Sequence, residues 1–285
     1  MNVKKKLGFI GAGNMAEALA RGLIENKIFK ASELIASDVD AARRRKFKSR
    51  SKGGLKIEVT TDNLEVLNSS RAVLFAVKPQ TIDAVLTELA RAGEGAPRKD
   101  GLAAKLFVSI AAGVTLDRLE SALGGRARVI RVMPNAPAMV GQGMAALVRG
   151  RNATRADEAF ALKIFRAVGD AVALKDEALL DAVTALSGSG PAYVYLFAKS
   201  LADAAVAQGL PADLALRMAL KTIRGAEENM RRSPMAAAEL IRIVASPGGT
   251  TEAALKQLGT DGFSAMVARA INAAAERSRE LGRVS

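Results

Sequence analysis

An apolar run that breaks at two glycines and restarts as a helix opens this chain: Leu7-Gly-Phe-Ile-Gly11-Ala-Gly13-Asn-Met-Ala16. The G-x-G-x-x-A spacing makes the backbone turn sharply from a strand into a helix. Gly11 permits the tight turn, Gly13 lets the backbone approach a pyrophosphate, and Ala16 keeps the helix close to the strand. The helix N-terminus that follows offers amide donors to an anion. A purely structural glycine turn has the same spelling. Its place at the head of an alternating strand–helix chain favours a dinucleotide site.

That alternation runs through the first half. Strands are expected at Lys6–Ile10, Leu34–Ser37, Leu55–Val59, Ala72–Val77, Leu106–Ile110, Arg128–Val132 and Met144–Val148, with an edge strand at Val172–Leu174. Helical patterns at Asn14–Asn26, Ala41–Lys48, Ile82–Ala92 and Ala156–Ala167 separate several of them. Largely apolar strands in a βαβ rhythm fit a sheet covered on both faces. After Lys175 the strand signals stop, and helices are expected at Ala178–Leu186, Ala192–Ala207, Asp213–Met230, Ala236–Val244 and Phe263–Arg279. The fold class is therefore an α/β Rossmann-like N-terminal domain with a mostly parallel sheet, residues 1–174, followed by an all-α domain, residues 175–285. Alanine packs helices closely but buries little area, so the second domain is expected to complete its core in a dimer.

The 285 residues contain neither Cys nor His. This excludes disulfides, thiolate catalysis, Ser-His-Asp relays and the common zinc sites, and no metal site is expected. Chemistry must rest on backbone amides, hydroxyls, carboxylates, Lys, Arg or a bound cofactor. The net charge of +13 is uneven: residues 1–174 carry 29 basic against 17 acidic side chains, and residues 175–285 carry 13 against 12. A positive first domain favours an anionic ligand. No run of 18 or more consecutive apolar residues occurs and a strand pattern begins at once, so neither a membrane span nor a signal peptide is expected, and the expected location is the cytoplasm.

The second strand ends at Ser37-Asp38, and Arg43, Arg44, Arg45, Lys46, Lys48, Arg50, Lys52 and Lys56 follow with no acid among them. An acid at that strand end holds a ribose diol and favours NAD; Ser37 with Arg43 or Arg44 holds a 2′-phosphate and favours NADP. NADPH is the expected cofactor, with NADH the alternative. Most of the run is expected to be a solvated helix face. It lacks a recognition module or interleaved aromatics, so no specific nucleic-acid partner is expected.

Ala76-Val77-Lys78-Pro79 and Met133-Pro134-Asn135-Ala136-Pro137 lie at strand ends, where a doubly wound sheet places its ligand. Asn135 sits between two prolines, placed to orient substrate or nicotinamide; the alternative is an Asn that caps its own turn. In the helical half, Ser187-Gly-Ser-Gly-Pro191 precedes a long apolar helix. Ser246-Pro-Gly-Gly-Thr-Thr251-Glu places glycines, hydroxyls and free amides just before another helix, a nest able to grip a small carboxylate. Helix capping by Thr250 or Ser246 is the competing reading.

Taken together, these stretches resemble the Δ1-pyrroline-5-carboxylate reductases. The resemblance rests on Gly8–Ala16, Ala76–Pro79 with Ser109–Thr115, Arg131–Pro137, Asp181–Tyr193, Ser246–Thr251 and Ala275–Leu281. It implies a Rossmann domain followed by a helical dimerisation domain, intertwined homodimers that some members assemble into decamers, and NADPH-dependent reduction of pyrroline-5-carboxylate to proline. By matching positions, Gly11, Gly13, Asn14 and Met15 meet the cofactor phosphates, and Asn63 lies near the adenosine ribose; Ala12, within the loop, and Ser37 and Arg43, from the strand-end chemistry above, complete the expected cofactor site. Ala76, Val77, Lys78, Pro79, Pro134, Asn135 and Ala136 line the dinucleotide's path. Ser246, Gly248, Gly249, Thr250 and Thr251 surround the substrate, with Thr251 the catalytic candidate. Three positions depart from the family pattern: Ala136 and Ala245 stand where a hydroxyl residue is usual, and Ser233 replaces a His. Two other readings remain: a β-hydroxyacid dehydrogenase, which needs a positioned Lys that Lys199 and Lys221 do not match, and a catalytically silent NADP-binding protein.

Overall fold

The computed structural model describes residues 5–49, 54–94 and 101–284. The chain forms two compact units, residues 1–188 with 274–285 and residues 189–273.

In the first unit, β1 (Lys5–Ile10), β2 (Leu34–Ser37), β3 (Glu58–Thr60), β4 (Ser70–Phe75), β5 (Leu106–Ser109), β6 (Arg128–Met133), β7 (Gly143–Arg149) and β8 (Gly169–Leu174) form one sheet in the order β3-β2-β1-β4-β5-β6-β7-β8. Every neighbouring pair is parallel except β6 with β7. Alternation sends successive side chains to opposite faces. Leu7, Phe9, Leu34, Ala36, Leu74, Val108, Ile130 and Val132 are buried with Leu19 and Leu23 of α1 (Asn14–Glu25) and with Ile164 and Phe165 of α6 (Arg155–Phe165). Ile10, Ile35, Val73, Phe75, Phe107 and Val129 are buried in a second cluster with α3 (Asn63–Ser69), α4 (Ile82–Glu94) and α5 (Leu116–Ala122). There Phe75 and Phe107 stack with ring centroids 5.6 Å apart.

Three sequence expectations need correction. The third strand was expected from Leu55, but pairing begins only at Glu58, because Lys56 adopts φ +57 and breaks the extended run. The fourth runs Ser70–Phe75 rather than Ala72–Val77. The expected helix Ala178–Leu186 is α only over α7 (Leu179–Val183) and continues as π-helix through Thr184–Gly188. Helices α3 and α5 were missed altogether; each is short and starts on a side-chain cap, Asp62 accepting from the Leu64 amide and Thr115 from the Arg118 amide. Of the basic run, Arg50 and Lys52 lie outside the described residues.

Strand structure ends at Leu174, as the change of rhythm predicts, but packing divides the chain later, after Gly188. Glu177 explains this: its Oε1 accepts from the Leu116 amide at 2.8 Å and from Arg131 Nη1 at 2.6 Å. Leu180 joins the second core cluster, and Asp181 accepts from Ser278 at 2.6 Å, which ties the end of the last helix to the same unit.

The second unit is helical: α8 (Gly190–Ala207), α9 (Ala212–Arg232), α10 (Ala237–Val244), α11 (Thr250–Thr260) and the first part of α12 (Phe263–Val284). Its buried cluster is three alanines, Ala202, Ala215 and Ala219, with Ala205 packed against them. Large apolar side chains stand in solvent instead, among them Tyr195 at 64%, Leu196 at 65% and Ile243 at 65% exposure. No helix among the described residues is long and apolar enough to cross a membrane.

Candidate active-site elements

The chain reverses its direction of sheet growth at β1, which lies between β2 and β4. Open α/β sheets bind ligands at that reversal, beyond the strand ends. Here the Gly11 amide donates to the Ser37 carbonyl at 2.8 Å, and the Ala76 amide donates to the Ile10 carbonyl at 2.8 Å. Gly11 has φ +97, and a Cβ on it would stand 2.7 Å from the Ala76 carbonyl oxygen. Only glycine meets both demands. The Ala12 amide is held by Asp38 Oδ2 at 2.8 Å, and Asp38 Oδ1 accepts from the Asp40 amide at 2.8 Å.

Gly13 is different. It is the N-cap of α1, no side chain caps that helix, and a Cβ on Gly13 would meet nothing closer than the Ala76 carbonyl oxygen at 4.0 Å. The protein's own packing does not demand a missing side chain there. Open space beside uncapped amides fits a pyrophosphate, so these residues fit a dinucleotide.

Around the end of β2, the structure redistributes the expected roles. Ser37 is 1% exposed and its hydroxyl donates to Asn63 Oδ1 at 2.6 Å; Asn63 Nδ2 in turn donates to Glu88 Oε2 at 2.7 Å. The Ser37 hydroxyl proton is therefore engaged inside the protein, and Ser37 braces the strand end instead of standing free as a phosphate donor. Arg43 donates to Asn14 Oδ1 at 2.5 Å and Arg44 donates to the Asp38 carbonyl at 2.6 Å. Arg43 thus reaches the start of α1, Arg44 folds back on the end of β2, and Lys46 pairs with Glu17 at 3.6 Å.

Lys78 is exposed at the end of the Ala76–Pro79 loop. Asn135 neither caps its own turn nor keeps a free amide. Its Oδ1 accepts from the Met144 amide at 2.8 Å, and its Nδ2 donates to the Ser187 carbonyl and hydroxyl, each at 3.2 Å. It anchors the π-helical turn to the β6–β7 connection. Pro134 is half-buried and Ala136 exposed beside it.

In the helical unit, Ser246–Gly249 is a tight turn in which the Gly249 amide donates to the Ser246 carbonyl at 3.0 Å. Pro247 and Gly248 occupy its centre, and Gly248 has φ +70, a combination typical of a type II turn. A Cβ on Gly249 would lie 2.9 Å from the Ser246 carbonyl oxygen and 2.5 Å from Ser246 Oγ, so the turn closes most readily on glycine. The Gly248 amide donates to Glu252 Oε2 at 2.7 Å. The expected nest of free amides is thus narrower than the sequence implied, because those of Gly248 and Gly249 already have acceptors. Neither Ser246 nor Thr250 caps α11, which begins at Thr250 after a glycine N-cap without a side-chain bond. The start of α11 and the hydroxyls of Ser246, Thr250 and Thr251 remain for an anion. Thr251 is half-buried.

Other singled-out residues have local explanations. Lys199 pairs with Asp203 at 2.5 Å on an exposed helix face, which disfavours it as an alcohol-activating base. Ser233 ends α9, its hydroxyl accepting from the Met235 amide at 3.1 Å, so that helix stop needs no His. Ala245 ends α10 as its C-cap residue.

Comparison with known proteins bears on both halves. The family described as "Pyrroline-5-carboxylate reductase dimerisation" matches residues 177–281, and "NADP oxidoreductase coenzyme F420-dependent" matches residues 6–113. The chain is 41% identical over 275 residues to a pyrroline-5-carboxylate reductase of Pisum sativum, covering 96% of this chain and 95% of that one. Among solved structures, a pyrroline-5-carboxylate reductase from Coxiella burnetii superposes with a TM-score of 0.86 at 31% identity, covering 98% of this chain and 99% of that one. A Plasmodium falciparum pyrroline carboxylate reductase with NADP bound superposes with a TM-score of 0.84 at 31% identity, covering 99% and 100%.

The two loop glycines separate by experiment. Gly13→Ala should leave thermal stability near that of the parent protein while weakening NADPH binding by about tenfold or more, measured by fluorescence titration. Gly11→Ala should lower the melting temperature as well, because its Cβ meets backbone.

Proposed function

The chain belongs to the pyrroline-5-carboxylate reductase family, and on that premise we propose how its residues carry the reaction. It reduces Δ1-pyrroline-5-carboxylate to L-proline with NADPH. The observation that carries the substrate reading is the Ser246–Thr251 turn at the uncapped start of α11, which offers amides and hydroxyls to a carboxylate.

The bound reduced nicotinamide supplies a hydride, which adds to C5 of the cyclic imine while the ring nitrogen carries a proton. An imine nitrogen takes that proton from solution before reduction, whereas a ketone oxygen develops alkoxide charge during it. A strongly perturbed acid is not required, which is how a chain without histidine performs the step. The protein's contribution is proximity, orientation and anion recognition. Gly11, Gly13, Asn14 and Met15 hold the phosphates at the start of α1, with the strand-end loops Ala76–Pro79 and Pro134–Ala136 along the dinucleotide. Thr250 and Thr251 orient the substrate carboxylate and ring nitrogen with Ser246, and Gly248 and Gly249 shape the turn that carries them. Thr251 acts chiefly by position, since an unactivated hydroxyl is a poor acid.

The preference for NADPH rests on Arg43, which reaches Asn14 at the start of α1, and on Arg44, which bonds the Asp38 carbonyl at the end of β2. Asp38, the acid that would favour NADH, has each carboxylate oxygen bonded to a backbone amide. Residues 1–174 act as the dinucleotide-binding part. Residues 175–285 act as the dimerisation and substrate-binding part, a role supported by the exposed apolar side chains of the second unit.

Pyrroline-5-carboxylate should give saturable, NADPH-dependent turnover to proline; its absence in protein that binds NADPH would overturn the substrate assignment. Thr251→Ala should lower kcat/KM by about 2–4 kcal/mol of transition-state stabilisation while NADPH affinity holds. Arg43→Ala with Arg44→Ala should raise KM for NADPH about tenfold more than for NADH in steady-state kinetics. Sedimentation velocity should find a dimer or a larger even assembly at micromolar concentration. A stable monomer would remove the dimer.

A further inference from the structure

Glu252 has no role in the reaction described above, and its charge has the wrong sign for a loop that receives a carboxylate. It nevertheless lies one turn into α11, and its Oε2 accepts from the Gly248 amide at 2.7 Å. The N-cap of α11 is Gly249, so Glu252 is the third helical residue. An acid at that position ordinarily reaches back to the N-cap amide. Glu239 does so on α10, accepting from the N-cap amide of Ala236 at 3.1 Å. Glu252 reaches one residue further, to the glycine at φ +70 in the centre of the turn.

From this geometry we infer that Glu252 is a positioning residue of the substrate loop. Its carboxylate closes a ring from the turn centre to the first turn of the helix. Within that ring lie Gly249, Thr250 and Thr251, and the Gly249-to-Ser246 hydrogen bond fixes Ser246 to the same frame. Without the Glu252 acceptor, the Gly248 amide loses its partner and the turn is free to rotate about glycine. The hydroxyls of Ser246 and Thr251 then lose their fixed spacing from the helix amides. The inference rests on the reading of Ser246–Thr251 as the substrate loop.

The test compares Glu252→Ala, Glu252→Gln and, as a control, Glu239→Ala in the full-length chain. KM and kcat for pyrroline-5-carboxylate, inhibition by L-proline and NADPH affinity are measured for each. Glu252→Ala should raise KM and weaken proline inhibition by about tenfold, with NADPH affinity unchanged. Glu252→Gln keeps an acceptor and removes the charge, so KM should return to the parent value or below it. Glu239→Ala should lower the melting temperature with no change in KM. Parent-like kinetics in Glu252→Ala, or Gln as damaging as Ala, would overturn the positioning role. If Glu252→Ala also loses NADPH binding, the Gln variant alone decides. Failure of the parent chain to turn over pyrroline-5-carboxylate would instead overturn the substrate reading beneath the inference.

Discussion

The close approach of two strand ends governs the first unit. Gly11 and Ala76 come together so tightly that a single added carbon would reach 2.7 Å from a carbonyl oxygen. On the other side, the Gly11 amide continues the ladder onto Ser37. The ends of three neighbouring parallel strands, β2, β1 and β4, are therefore joined by hydrogen bonds just where the helix that begins at Asn14 leaves the sheet. The ligand-facing geometry follows from that clamp: α1 must start where the clamp releases the chain, with its first amides pointing beyond the strand ends. The two hydrophobic clusters on the sheet faces keep the strands from shifting against one another.

Both units carry the same device at one helix start. Each has a helix that begins after a glycine N-cap and has no side-chain cap, so its first amides stay available. In each, a nearby carboxylate holds the amide of the residue just before that glycine: Asp38 holds Ala12, and Glu252 holds Gly248. An acid so close to an anion site opposes the ligand's charge, but it fixes a glycine-rich segment that would otherwise lose much of its binding geometry to conformational entropy. In both cases the acid engages an amide outside the helix and not the donors of its first turn.

The order of elements and the glycine loop were legible in the sequence because their signals are local: apolar alternation, a positive-φ glycine and a helix pattern. The short helices α3 and α5 were not, since seven residues span less than two turns of periodicity and only Asp62 and Thr115 mark their starts. The packing boundary was also hidden. It depends on Glu177 reaching both Arg131 and the Leu116 amide, contacts made by residues 46 and 61 positions apart. Within the candidate sites, residue identities were legible but their engagement was not. Ser37 and Asn135 carry the right polar groups at strand ends, yet both use them on neighbours that only the folded chain brings near.

The second unit differs in kind from the first. A buried cluster of alanines removes little apolar surface from water, while Leu196, Ile243 and Val244 remain largely exposed. Helix α10 has no buried residue at all, although its sequence Ala-Ala-Glu-Leu-Ile-Arg-Ile-Val is strongly apolar. Apolar surface on this scale is costly in water and is ordinarily covered by association. Because α10 leads directly into Ala245 and the Ser246 turn, covering its apolar residues would also steady the segment that precedes that turn. The proposed association and the proposed substrate site therefore meet in one stretch of chain, in which α10 carries the apolar surface and the turn after it the polar groups.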